Sequence, residues 1–510
     1  MQLRGTNSRQ KLVIRHIGGL AGQLNPDIDV LSTGGNYRTR DVLVNIETVI
    51  AANRFGLGAR PGELSRIDKN PSAWLLDQLQ GPSRQPGELK GLPDTATILV
   101  EVQELRQKQR DAKRVATDQP SPDVVKKFGS IVRRHYLQQT EARYKLAAST
   151  DLPFHERLVH FWTNHFAVSA DKQPVSAVAG AFENEAIRPN LGGSFYDLLV
   201  SVEKHPAMLL YLDNQRSIGP GSTLAKRANR HSRNGQQFGL NENLAREILE
   251  LHTLGVDGGY VQQDVTTFAK VITGWSIGGA GDRGRFSEGT PGTFEFREVI
   301  HEPGDHVVLG TKYKQSGLAQ GEAVMRDLAE HRSTAFHLSR KLVRHFVNDD
   351  PPAEMVDKVA AVYLDSGGDL PKVHAALVNA TEPWQQTFAK YKTPQDFVIS
   401  AFRAFDRVPE DGKLVVGALD MMGQTPFRPG SPAGWPDTAD HWGGADALYK
   451  RIEWSTAVSR IAGSRVNPLS LGEAVLGSAF SDHTRTAISR AESAEQGLTL
   501  FLASPEFQRR

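Results

Sequence analysis

The chain has no cysteine among its 510 residues. That absence removes disulfides, thiolate nucleophiles, iron–sulfur ligation and cysteine-based zinc sites together. It is neutral on compartment. No apolar run approaches the roughly 18–20 residues that a membrane span needs. The opening MQLRGTNSRQKLVIRHIGGLAGQL has basic residues but no apolar core of roughly 7–15 residues, so no export signal is visible and the localisation stays open. A dominant charge is also missing. Sixty basic residues face 58 acidic ones, for a net charge of +2, so bulk electrostatics favour no partner and nucleic acid is not expected. Several motif-bound chemistries are absent too. There is no GxSxG and no P-loop, and the Gly278–Gly284 cluster lacks both a preceding strand and the dinucleotide spacing. His301-Glu302-Pro303-Gly304-Asp305-His306 is not HExxH, because its spacing is longer and Pro-Gly forbids the required helix. Glu298–His301 is a lone Glu-x-x-His in a stretch read as strand, where a di-iron bundle needs two on helices.

What is present is helical periodicity. Apolar content of 39% is adequate for a core. Apolar spacing predicts amphipathic helices over Thr97–Thr117, about Val124–Ala148, Thr334–Val347 and Pro394–Phe405, and again from Ala445 to the end. Thr293–Ile300 and His306–Tyr313 are the best strand candidates, forming one hairpin. The expectation is a mainly α, single large multi-helical body with a small β-hairpin insertion. Residues 1–45 read as an irregular arm and 46–510 as the helical domain. Within it, 215–239 reads as a basic loop and 278–313 as a Gly-rich loop with the hairpin.

Polar chemistry is densest over Pro153–Trp275. In Phe154–Phe166 the residues Phe154, Leu158, Phe161, Trp162 and His165 share one helical face, while Glu156, His160 and Asn164 line another. Asn241 reads as the cap of a helix over Glu242–Leu254, with Gly255 beyond its end. Glu242, Arg246 and Glu250 form a ladder on a solvated face. Asn243 and Glu247 adjoin the apolar stripe, where an unpaired carboxylate is costly to bury. Each of these admits a packing role, as a hydrogen-bonded core histidine or a helix-to-helix bond, beside a site role. The site reading joins His165, Asn164, Asn243, Glu247, Asp213, Asn214 and His301 in one pocket, with Asp213-Asn214 at its rim. His165, Glu247 and His301 would be a reasonable ligand set for a divalent metal. Asp264 is read as a helix N-terminal charge rather than a calcium ligand. The segment carrying Arg216, Lys226, Arg227, Arg230 and Arg233 has no acid between Asp213 and Glu242, and would bind or gate an anionic ligand if it is more than a solvated loop.

These stretches also carry a resemblance. The chain resembles the bacterial domain-of-unknown-function 1800 family through NRFG at Asn53–Gly56, FWTNHF at Phe161–Phe166, PAMLLYLDN at Pro206–Asn214 and NENLARE at Asn241–Glu247. TLGVDGGY at Thr253–Tyr260, TGW at Thr273–Trp275 and SRKLVRHFVNDDPP at Ser339–Pro352 extend it. KTPQDFV at Lys392–Val398, GQTPF at Gly423–Phe427, GWPD at Gly434–Asp437 and the closing SPEFQRR complete it. The resemblance implies a helical fold, frequent export and, in some members, fusion to extracellular carbohydrate- or adhesion-type modules. It implies no established activity. His301-Glu302 stands where the family usually reads His-Asp, and Val261 where it tends to have a Thr-type cap. The functional expectation is an enzyme, metal-assisted and hydrolase-like, acting on an anionic or polymeric substrate. The alternative is a non-enzymatic cell-surface or polymer-handling binding protein.

Overall fold

A computed structural model describes residues 44–115, 122–231, 239–279, 287, 289–385 and 388–510. The expected N-terminal arm lies outside them except for its last two residues. The described chain is mainly helical, and one continuous apolar core runs from Val49 to Phe507. None of its helices is long and apolar enough to cross a membrane.

Four helices line the site, α1 (Pro122–Ser149), α2 (Pro153–His165), α5 (Arg332–Phe346) and α6 (Pro394–Ala404), while α3 (Val175–Phe182) packs on α1 and α4 (Asn243–Glu247) contributes nothing to the lining. Helix α2 is the central one. Pro153 occupies its first turn, where the missing N–H costs nothing, and the Phe154 amide donates to Gln78 Oε1 at 2.8 Å in place of a side-chain cap. Of its residues, only Thr163 and Asn164 are not fully buried. The apolar face packs as expected: Phe154 meets Phe55 edge-on at 5.6 Å, and Trp162 sits face to face with Phe166 at 6.1 Å. The opposite face is buried too, against charge. Arg188 reaches Glu156 from Nη1 at 2.5 Å and Nη2 at 2.9 Å. Helix α5 begins at a histidine cap, His331 Nδ1 accepting the Ser333 amide, and places Arg344 and His345 in its last turn, where the helix dipole favours cations. Helix α6 starts from Thr393, whose hydroxyl accepts the Asp396 amide, followed by Pro394.

The β-structure differs in pairing from the single hairpin expected. Strand β1 (Trp275–Ile277) pairs with β2 (Phe294–Phe296), and β3 (His306–Val308) pairs with β4 (Thr311–Tyr313), each antiparallel. Trp275 therefore opens a strand directly after the helix over Gln262–Val271, because Gly274 takes φ +88° and turns the chain. The segment read as a basic loop contains a helix, Thr223–His231. Helix α4 continues as a π-turn over Ile248–His252, so the single helix expected over Glu242–Leu254 is broken in two.

Candidate functional site

The side of α2 that carries His160 and Asn164 forms the floor of a cavity of about 360 Å³. Helix α5 supplies Lys341, Arg344 and His345 to it, the start of α6 supplies Gln395 and Asp396, and the stretch from Gln424 to Thr438 closes it. Asn164 holds that closing stretch by two hydrogen bonds, donating to the Trp435 carbonyl at 3.0 Å and accepting the Trp435 amide at 2.7 Å. Gly434 sits at φ +82°, and a Cβ there would stand 2.2 Å from the Asn164 carbonyl oxygen. Only glycine permits this approach.

Two carboxylates anchor the wall. Asp396 accepts from Arg157 Nη1 at 3.1 Å and lies 3.2 Å from Arg510 Nε. Asp437 meets His345 Nδ1 at 2.7 Å and lies within 3.8 Å of both Arg510 and Lys390. Arg510, 2% exposed, is fixed by backbone pairing with Lys390 in both directions. Both aspartates are held well below the ordinary carboxylate range despite burial that opposes ionisation, foremost by the Arg157 cation for Asp396 and, for Asp437, by the His345 ring that bonds it and the Lys390 amine. Burial pushes His345 down to about 4, so its ring is neutral near pH 7. Its Nδ1–H then donates to Asp437, and Nε2 is a buried acceptor with no partner among the described residues.

The cations outnumber these acids. Arg143, Arg157, Lys341 and Arg344 line the cavity beside Asp396 and Asp437. Arg143 is paired with Glu183 at 2.8 Å, but Arg157 Nη2 is buried with no partner among the described residues. Lys341 has no hydrogen bond or ion pair among the described residues. Burial lowers its amine to about 8, with Asp437 opposing the shift and Arg344 adding to it. The wall is thus partly desolvated and biased towards positive charge, an arrangement suited to an organic anion.

Of the residues singled out in the sequence, the cavity gathers Asn164 and His165. His165 Nε2–H donates to the His252 carbonyl at 3.2 Å, and burial holds its ring well below the usual histidine range. The others are engaged elsewhere. Asn243 is exposed at the start of α4, and its amide donates to Asn241 Oδ1 at 2.9 Å. Glu247 is half-buried, raised by desolvation, and does not line the cavity. Asp213 takes φ +58° and accepts from Lys172 Nζ at 2.5 Å. Asn214 donates to the Ile272 and Trp275 carbonyls, tying its turn to β1. His301 Nδ1–H donates to the Thr273 carbonyl at 2.8 Å, and Glu302 accepts the Gly221 amide at 2.5 Å. Glu302 thus anchors the turn before the basic helix. Among the described residues, no group of three or more His, Asp or Glu could hold a metal ion, so His165, Glu247 and His301 do not form the expected ligand set. Arg216, Lys226 and Arg227 are exposed and away from the cavity lining, whereas the Arg230 side chain and Arg233 lie outside what is described.

Lys341, Arg344 and His345 stand in the block SRKLVRHFVNDDPP, Gln395 and Asp396 in KTPQDFV, and Trp435 to Asp437 in GWPD, whereas Arg143, Arg157 and His160 stand in none of the quoted blocks. The spacing of Lys341 and His345, four apart on one helix face, was the available signal. A family model described as a protein of unknown function (DUF1800) matches residues 50–509. No curated protein and no solved structure matches the chain.

Proposed function

The chain belongs to the DUF1800 family, and for it we propose an enzyme that binds a small organic anion, or the anionic end of a polymer, in the cavity between α2, α5 and α6. The observation that carries this reading is Lys341, a cation on the cavity wall with no acid of its own beside an arginine, Arg157, that is only half satisfied. An anion supplies the missing partner for both, and does so in a setting where charge-assisted hydrogen bonds are strong. The His345–Asp437 pair gives the reading its chemistry. Asp437 fixes the tautomer, the neutral ring offers Nε2 as a base, and no proton must first be removed at pH 7. A base of this kind can take a proton from water, as hydrolase-like chemistry requires, or from a carbon next to a carbonyl.

Calorimetric titration of the purified protein with oxalate, malonate and inorganic phosphate tests the proposal. At least one should bind, more weakly as salt rises, and Lys341→Ala should weaken that binding at least tenfold. Equal affinity in Lys341→Ala and the parent chain would overturn the cavity as the site. Binding that survives with no turnover of any carboxylate-bearing carbonyl or ester would favour the non-enzymatic alternative.

A further inference from the structure

We propose that Lys341 is a nucleophile that carries its substrate as an imine, and that the substrate is a 2-oxo acid, with a carbonyl carbon next to a carboxylate. The inference rests on the anionic-ligand reading of the same cavity and names its substrate class. Three features support it. The first is that Lys341 is free: among the described residues nothing pairs with its amine, whereas Lys390 and Arg510 behind the same wall are tied to Asp349 and Asp396.

The second feature is the arrangement along α5. Arg344 is three residues on from Lys341 and His345 four, so the three share one side of the helix and all line the cavity. A carboxylate held by Arg344, with Arg157 behind it, brings the adjacent carbonyl carbon to the Lys341 amine and leaves His345 to move protons. The third is availability of the neutral amine. With its proton released near pH 8, about a quarter of the amine is nucleophilic at pH 7.5, against about a thousandth for an ordinary lysine.

The step balances without a further reagent. The amine lone pair adds to the carbonyl carbon, and a proton moves from nitrogen to the oxygen, giving a carbinolamine. The carbon–oxygen bond then breaks as water leaves, and carbon–nitrogen becomes a double bond. Amine and carbonyl become imine and water, with no change of oxidation state.

Reductive trapping of the full chain is the test. Glyoxylate with sodium cyanoborohydride should add one carboxymethyl group, mapped by peptide mass spectrometry to Lys341. Acetaldehyde, which lacks the carboxylate, should label that position at least tenfold more slowly. Lys341→Arg keeps the positive charge and should lose the adduct while retaining its circular dichroism spectrum and oxalate binding. If oxalate binds the parent chain but Lys341 takes no adduct, the imine is overturned and the anion site stands. If none of oxalate, malonate and phosphate binds and no adduct forms, both readings fall. Labelling spread evenly over surface lysines would also overturn the imine.

Discussion

At the scale of single residues, Lys341 separates a site from ordinary packing by the sign of its effect on stability. A desolvated cation without a partner is held at a cost, and functional groups are where such costs persist. Replacing it with methionine, of similar length, removes the charge and keeps the packing. We expect Lys341→Met to stabilise the fold by about 1–3 kcal/mol at pH 7 while removing anion binding. The pH dependence has a definite sign. The unfolded chain keeps the lysine proton up to about 10.5, while the folded one releases it near 8. Between those values the unfolded state binds more protons, so the parent chain gains stability with rising pH and its deficit against the variant closes. Denaturant titrations of both proteins at pH 7 and pH 10 measure the gap. A destabilised variant, or a gap unchanged across the window, would place Lys341 in the structural frame.

At the scale of elements, buried arginines join segments far apart in the chain. Arg403 on α6 donates to the Gly58 carbonyl at 2.6 Å, to the Thr150 carbonyl at 3.1 Å and to both Glu63 oxygens at 2.9 and 3.0 Å. It is fully buried. Lysine cannot reproduce this fan of donors, so Arg403→Lys should cost about 3 kcal/mol, read as a lowered unfolding midpoint in denaturant. A loss below about 1 kcal/mol would mean that the segments hold together without it. The closing stretch of the cavity has its own clasp. Asn164→Ala removes both bonds to Trp435 and should weaken oxalate binding by about tenfold while costing the fold about 1–2 kcal/mol. Equal affinity in the two proteins would show that Trp435 is held without Asn164. These clasps explain how much could be read beforehand. Helices such as α2 and α5 announce themselves by apolar spacing, and in α2 His165 stood out on the apolar stripe and Asn164 on the polar face. Lys341, Arg344 and His345 did not, because basic residues towards the C-terminal end of a helix also suit the dipole and solvent. Nothing local relates Arg157 to Asp396, or Asp437 to Arg510. Strand pairing failed for the same reason: β1 finds β2 across the Gly-rich segment, whereas the sequence suggested a partner next along the chain.

At the scale of the whole molecule, the core carries an unusual load of neutral histidine. Burial lowers His155, His337 and His345 to about 4 and His374 to about 3. His374 shows the structural reason for one of them: its Nε2 accepts the Trp162 indole N–H at 3.1 Å, which a protonated ring could not do. In the unfolded chain each would protonate near 6.5. From pH 6.5 down to about 4 the unfolded state therefore binds more protons, and stability falls with acid. Below that, Glu156, Asp396 and Asp437 act in the same direction, because all three remain ionised in the fold beneath the pH at which unfolded carboxylates protonate. Their contribution is complete above the ordinary carboxylate range and is lost as pH drops through their lowered values. Half the full linkage from the four histidines is about 7 kcal/mol, comparable with the stability of an ordinary domain. The melting temperature should accordingly fall steeply between pH 6.5 and 4.5, and His374→Gln, which can still accept from Trp162, should flatten that fall. A melting temperature constant from pH 7 to pH 5 would show that these rings take up protons in the fold, and that the His345–Asp437 pair is not the neutral base the cavity chemistry needs.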